Sequence, residues 1–117
     1  MNSPIGILDS GLGGLSVLNE IRKALPSESL IYFGDSAWCP YGARHADEIQ
    51  RRVFTVTDFL IDQGCKMIVV ACNSATIAAV EALRATYPIP FVGMEPGVKP
   101  AAALTKSGIV GVLATEA

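Results

Sequence analysis

Short apolar runs alternate along this chain with longer segments in which apolar residues recur every three or four positions. Ile5 to Leu8, Leu30 to Phe33, Lys66 to Ala71, Ile89 to Val92 and Ile109 to Leu113 have the length and β-branched content of buried strands. After the first of them, Leu15, Leu18, Ile21 and Leu25 fall on one face of a helix that Pro26 and Ser27 stop. A second helix, from His45 to Gln63, stacks Ile49, Val53, Val56 and Leu60 on one side and places Asp47, Glu48, Arg51 and Arg52 elsewhere, with Gly64 as its C-cap. A third follows Cys72-Asn73-Ser74, covers Ala75 to Leu83 and ends near Tyr87-Pro88, and Ala101 to Thr105 reads as helical. Repetition of strand, loop and helix predicts an α/β fold, a parallel sheet with helices on both faces in a flavodoxin-like, doubly wound order.

Two stretches break the pattern. Gly34 to Gly42 is too rich in turn formers and polar groups to be helix or strand, and it is long for a strand-to-helix connection. Gly93 to Pro100 holds two glycines and two prolines, which suggests a functional loop or a crossover between lobes. Residues 1–94 are therefore expected to form an N-terminal α/β lobe, and 95–117 the crossover and first part of a second, incomplete lobe. The fifth strand lacks the crossover helix that a parallel strand needs, so the fold reads as truncated. Open sheet edges would then lead the chain to self-associate as a homo-oligomer or to fold poorly.

With 117 residues, 50% of them hydrophobic and 17% charged, the chain has enough apolar mass for one packed core. The net charge of −2, with no basic cluster larger than Arg51-Arg52, gives no footprint for nucleic acid, so a small-molecule partner is expected. No apolar stretch approaches the roughly 20 residues that cross a bilayer, and the first ten residues do not resemble a secretory signal. These features point to a cytoplasmic protein without a membrane partner. Cys39, Cys65 and Cys72 form an odd set with no CxxC pair, and His45 is the one histidine, which argues against a disulfide framework and against a metal site.

The candidate chemistry lies at the carboxyl ends of the strands, where open parallel sheets bind ligands. Cys72 ends a buried strand and opens a helix, whose unpaired N–H groups and partial positive charge suit a reactive sulfur. Asp9-Ser10, the Asp35–Gly42 segment and Cys72-Asn73-Ser74 should converge there, with Asp9 and Cys72 facing one crevice across the neighbouring first and third strands. Asp9 suits an N-cap as well as a ligand contact, Ser10 and Ser74 are also candidate caps, and Asn73 suits a turn. Tyr41-Gly42 reads as a turn or, with Trp38, as a cover over the crevice. Cys65 reads as a buried small hydrophobe, Cys39 as a loop-packing residue, and His45 as an exposed or packing residue. Gly11-Leu-Gly-Gly14 lacks the third glycine of a dinucleotide loop, and a nucleotide site with Asp35 on a ribose would leave Cys72 without a role. No His or Lys lies beside Cys72 in the chain to accept a proton, so a thiolate acting as general base on a carbon acid fits better than acyl transfer.

Asp9-Ser-Gly-Leu-Gly-Gly-Leu-Ser-Val17, Tyr32-Phe-Gly-Asp-Ser36, Pro40-Tyr-Gly42, Val70-Ala-Cys-Asn-Ser-Ala-Thr76 and Met94-Glu-Pro-Gly97 closely resemble the glutamate racemases of the aspartate/glutamate racemase superfamily. The resemblance runs through the whole chain and covers about the first half of a family member. It implies a cofactor-independent isomerase that makes D-glutamate for peptidoglycan by thiol and thiolate proton transfer. Cys72 would be one of two catalytic cysteines, and Asp9, Ser10, Tyr41, Gly42, Asn73 and Ser74 would contact glutamate. Ser74 stands where the family often has Thr, which keeps the hydroxyl. The family's second catalytic cysteine, followed by Thr-His, lies in the other half, so the chain alone is expected to be inactive. The alternative is a non-catalytic α/β domain that binds an amino acid or a nucleotide.

Overall fold

Four parallel strands, β1 (Ile5–Asp9), β2 (Leu30–Gly34), β3 (Met67–Val70) and β4 (Phe91–Gly93), form one sheet in the order β2-β1-β3-β4. A computed structural model describes residues 3–94 and 98–113. β1 sits centrally, paired with β2 from Ile5↔Leu30 to Asp9↔Gly34 and with β3 from Ile5↔Met67 to Leu8↔Val70. The strands alternate with helices α1 (Leu15–Ala24), α2 (Ala46–Asp62) and α3 (Asn73–Thr86), and α4 (Val98–Leu104) follows β4. The order reverses at β1 and β3, so the expected flavodoxin-like arrangement is present and its switch point lies at the ends of these two strands.

The two-residue period of each strand divides its side chains between two faces. Leu8, Ile68 and Val70 point to the face covered by α2 and α3, where they pack with Ile49, Val53, Val56, Leu60, Ala75, Ala79 and Leu83. Gly6 permits this approach, since a Cβ there would meet Cys65 Sγ at 3.0 Å and Leu60 Cδ1 at 3.3 Å. Ile5, Ile7 and Val69 point to the other face, against Val17, Leu18 and Ile21 of α1. That cover is thinner. No residue of α1 is fully buried, and an apolar groove of about 300 Å³ opens beside it between Ile21, Leu25, Met67 and Val92.

Several expectations change at their edges. β1 and β2 each extend one residue further, β3 is shorter than Lys66–Ala71, and β4 starts at Phe91 rather than Ile89. Gly64 follows the α2 C-cap with φ +85°, the left-handed conformation expected of it. The loop after β2 is not wholly irregular, because Ser36–Trp38 and Tyr41–Ala43 each form a turn of 3-10 helix. The fifth strand is absent. Residues 109–113 pair with no strand among the described residues, and Ile109, Val112 and Leu113 are 78%, 60% and 103% exposed; the Ile109 backbone instead donates to the Ser107 hydroxyl and accepts from that of Thr105. The expected lobe boundary at 94/95 falls at residues 95–97, outside those described.

Candidate active site

The crevice is built where β1 and β3 end side by side. The Ala71 amide donates to the Leu8 carbonyl at 2.8 Å, so Asp9-Ser10 and Cys72-Asn73 leave the sheet as neighbours. Cys72 occupies the N-cap position of α3 with extended backbone (φ −134°, ψ 125°) and a half-buried side chain, at the end of the helix whose first N–H groups have no partner within the helix. Its thiol lies 3.6 Å from Ser10 Oγ, a side chain 62 residues earlier in the chain. Asn73 is exposed at the start of α3, and Ser74 is buried in its first turn at 6% exposure.

Asp9 is 4% exposed and already engaged. Its Oδ1 accepts from the Ser10 amide at 2.8 Å, and its Oδ2 accepts from the Gly14 amide at the α1 N-cap and lies 3.0 Å from the Tyr32 hydroxyl. Asp9 is not itself the N-cap residue, which is Gly14; its carboxylate reaches the Gly14 amide from five residues upstream. Tyr32 is held protonated, its pKa raised to about 12 by burial and then by its hydrogen bond to Asp9.

Tyr41 is fully buried at 1% exposure and packs into the α2 and α3 core, against which Cys72 and Trp38 also rest. A loose cover over the crevice is therefore not what Tyr41 provides. Its hydroxyl donates to Asp35 Oδ2 at 2.6 Å, and Arg52 of α2 grips the same carboxylate with Nε at 2.7 Å and Nη2 at 2.8 Å. Arg44 lies over the Trp38 ring at 4.1 Å and Arg52 approaches it at 5.4 Å. This network pins both 3-10 turns and brings Gly42, half-buried, to its place beside Tyr41. Asp35, 3% exposed and turned to Arg52 and Tyr41, is not presented to a ribose as the nucleotide alternative requires.

Burial alone would raise the Asp35 carboxyl, but the hydrogen bonds from Arg52 and Tyr41 and the guanidinium charges of Arg52 and Arg44 outweigh it and hold the pKa below its ordinary value. A carboxylate depressed in the folded state adds stability above its unfolded pKa of about 3.9 and loses it as the pH falls through the folded value. Urea midpoints are therefore expected to fall below about pH 4, and to fall less steeply in Asp35→Asn. Equal acid slopes for the two proteins would refute the assignment.

The other two thiols have different surroundings. Cys65 is buried beneath Gly6 at the amino end of β3, and burial pushes its thiol up. Cys39 is exposed rather than packed, although a Cβ on Gly11 would come within 3.5 Å of its sulfur. His45 is exposed at the α2 N-cap position. Among the described residues, no group of three or more His, Cys, Asp and Glu side chains could hold a metal ion. No helix among them is long and apolar enough to cross a membrane.

Three side chains matter here that the motifs alone did not single out: Tyr32, Arg52 and Thr76. The Thr76 hydroxyl donates to the Cys72 carbonyl at 2.9 Å and accepts from the Met94 amide at 3.1 Å, joining the Cys72 turn to the chain leaving β4. Tyr32 and Arg52 were legible as a strand residue and a helix residue, and only the packing of β2 and α2 against the crevice reveals what they hold.

Comparison with known proteins bears on the family and the fold. The family model for Asp/Glu/Hydantoin racemase matches residues 5–117. The glutamate racemase of Methylococcus capsulatus is 58% identical over 113 residues, 97% of this chain and 42% of that protein. That of Ectopseudomonas mendocina is also 58% identical, over 97% of this chain and 43% of its own length. Among solved structures, Escherichia coli glutamate racemase in complex with L-glutamate and the activator UDP-MurNAc-Ala superposes with a TM-score of 0.84 at 40% identity, covering 91% of this chain and 41% of that one. The enzyme from Thermus thermophilus in complex with β-chloro-D-alanine gives 0.77 at 44% identity, covering 86% and 38%. The chain thus spans less than half the length of the relatives it matches, and within that span it belongs to the Asp/Glu/Hydantoin racemase family.

Proposed function

We propose that this chain supplies one face of a cofactor-independent site that interconverts L- and D-glutamate, with Cys72 as one of two proton-transferring thiols. The observation that carries the reading is Cys72 Sγ set between the Ser10 hydroxyl and the first turn of α3, at the switch point of the sheet. Glutamate brings two carboxylates, and the N–H groups at the start of α3 and the hydroxyls of Ser10 and Ser74 are suited to receive them. Asn73 would add an amide, Asp9 a fixed negative charge for the ammonium group, and the Tyr41-Gly42 turn a wall and backbone donors.

In this reaction the Cys72 thiolate takes the α-proton, forming an S–H bond while the C–H electron pair moves into the α-carboxylate. A thiol on the opposite face then returns a proton to the carbon, and the two sulfurs exchange roles for the other enantiomer. Cys39 and Cys65 do not supply that partner: Cys65 lies at the other end of the sheet, and Cys39 is exposed beside Gly11. The second thiol belongs to residues beyond this lobe, in a cytoplasmic enzyme that feeds D-glutamate to peptidoglycan.

Two measurements on the purified chain separate the parts of this reading. L-glutamate in D2O is expected to show neither racemisation by circular dichroism nor α-proton exchange by NMR, and either glutamate enantiomer is expected to slow alkylation of Cys72. Sustained turnover with exchange would refute the one-thiol assignment. Unchanged Cys72 alkylation at saturating glutamate would refute the substrate.

A further inference from the structure

The loop that carries Ser10 is seated on β2. The Tyr32 hydroxyl lies 2.8 Å from the Gly11 carbonyl and 3.0 Å from Asp9 Oδ2, so one side chain touches the loop on both sides of Ser10. Gly34 completes the seat, because a Cβ there would stand 2.5 Å from the Gly11 carbonyl oxygen and 3.0 Å from Tyr32 Cε1. The Asp35 amide donates to the Asp9 carbonyl at 2.9 Å and closes the same junction from the end of β2. Ser10 is the next residue in the chain, and its Oγ is the polar group 3.6 Å from Cys72 Sγ.

We infer that Tyr32 is a positioning residue for proton transfer: through Gly11 and Asp9 it fixes the Ser10 hydroxyl against the Cys72 sulfur. The inference rests on Cys72 being the reacting thiol. A hydroxyl held there can turn its proton toward a thiolate, and a charge-assisted hydrogen bond of that kind needs the oxygen fixed to within a few tenths of an ångström. A phenol is suited to the task, since its oxygen stands at the end of a rigid ring rooted in a paired strand.

The three cysteines fall in different tryptic peptides, so iodoacetamide labelling followed by mass spectrometry reads each thiol separately. Ser10→Ala is expected to slow Cys72 alkylation at pH 7.5 by about fivefold, the size of one ordinary hydrogen bond. Tyr32→Phe is expected to slow it in the same direction by about threefold, and the double variant to react no more slowly than Ser10→Ala, because Tyr32 acts through Ser10. Cys65, buried under Gly6, reports global opening and is expected to stay protected throughout. Gly34→Ala displaces the Gly11 carbonyl from the other side of the seat and is expected to reproduce the Tyr32→Phe effect.

An unchanged Cys72 rate in Tyr32→Phe, a double variant in which the two factors multiply, or a parallel rise of Cys65 labelling would each overturn the inference. Glutamate plays no part in these measurements. A failure of the racemase reading, seen as absent glutamate protection, is therefore distinguishable from a failure of this one.

Discussion

Fused in frame to the remaining part of the Methylococcus capsulatus relative, of which it matches 42%, this chain is expected to racemise glutamate. In that chimaera Cys72→Ala is expected to lower turnover by about 10³-fold, within the range by which a positioned general acid–base accelerates proton transfer. Alanine removes the sulfur without enlarging the half-buried side chain or introducing a competing hydroxyl, and Cys72 makes no side-chain cap bond that would be lost. Cys39→Ala and Cys65→Ala are the controls, since neither thiol reaches the crevice floor. Circular dichroism at fixed substrate reads the rate, and melting curves show whether each variant is folded. A Cys72→Ala chimaera that keeps a tenth of the activity would end the assignment of Cys72 as a proton-transfer base. An inactive chimaera that melts cooperatively and leaves Cys72 unprotected by glutamate would count against the substrate.

Arg52→Ala is expected to be the most destabilising single change outside the hydrophobic core, at about 3 kcal/mol. Removing one partner of a buried pair strands the other, and Asp35, with 2% of its side chain exposed, would keep only the Tyr41 hydroxyl. Arg52 itself is 26% exposed, so water can enter and the loss should fall at the low end for such pairs. Trp38 would lose one of its two guanidinium neighbours as well. Replacing the pair together, as Asp35→Asn with Arg52→Met, is expected to cost less than Arg52→Ala alone, because no charge is then left buried without a partner. Urea titrations of the three proteins test the ordering. A double variant less stable than Arg52→Ala would show that the ion pair is not what holds the two 3-10 turns.

The helices and inner strands were legible because their signal is periodic and local. The spacing of Ile49, Val53, Val56 and Leu60 is the buried stripe of α2, and Gly64 marks its end with the conformation expected of it. The convergence of Ser10 and Cys72 was legible too, because a doubly wound order places the ends of β1 and β3 together whatever the side chains. Residues 109–113 misled for the complementary reason. Their composition is that of a strand, but a strand exists only beside another, and pairing is a property of the neighbours rather than of the five residues. The 34–42 segment hid its turns because they depend on Tyr41 turning inward to Asp35 and on a guanidinium from α2. Asp35 and Arg52 are 17 residues apart, and no local pattern links them.

The unequal cover on the two faces of the sheet divides the crevice into a firm half and a yielding one. Local opening requires the least free energy where few side chains are buried, and α1 buries none fully, whereas α3 is anchored by Ala75, Ala79, Val80 and Leu83. Cys72 therefore stands on the side that resists fluctuation, and Ser10 at the root of the side that permits it. Opening of α1 would leave Cys72 and the serine loop seated on Tyr32 where they are, so the ends of the strands hold their geometry while the helix beyond them gives way.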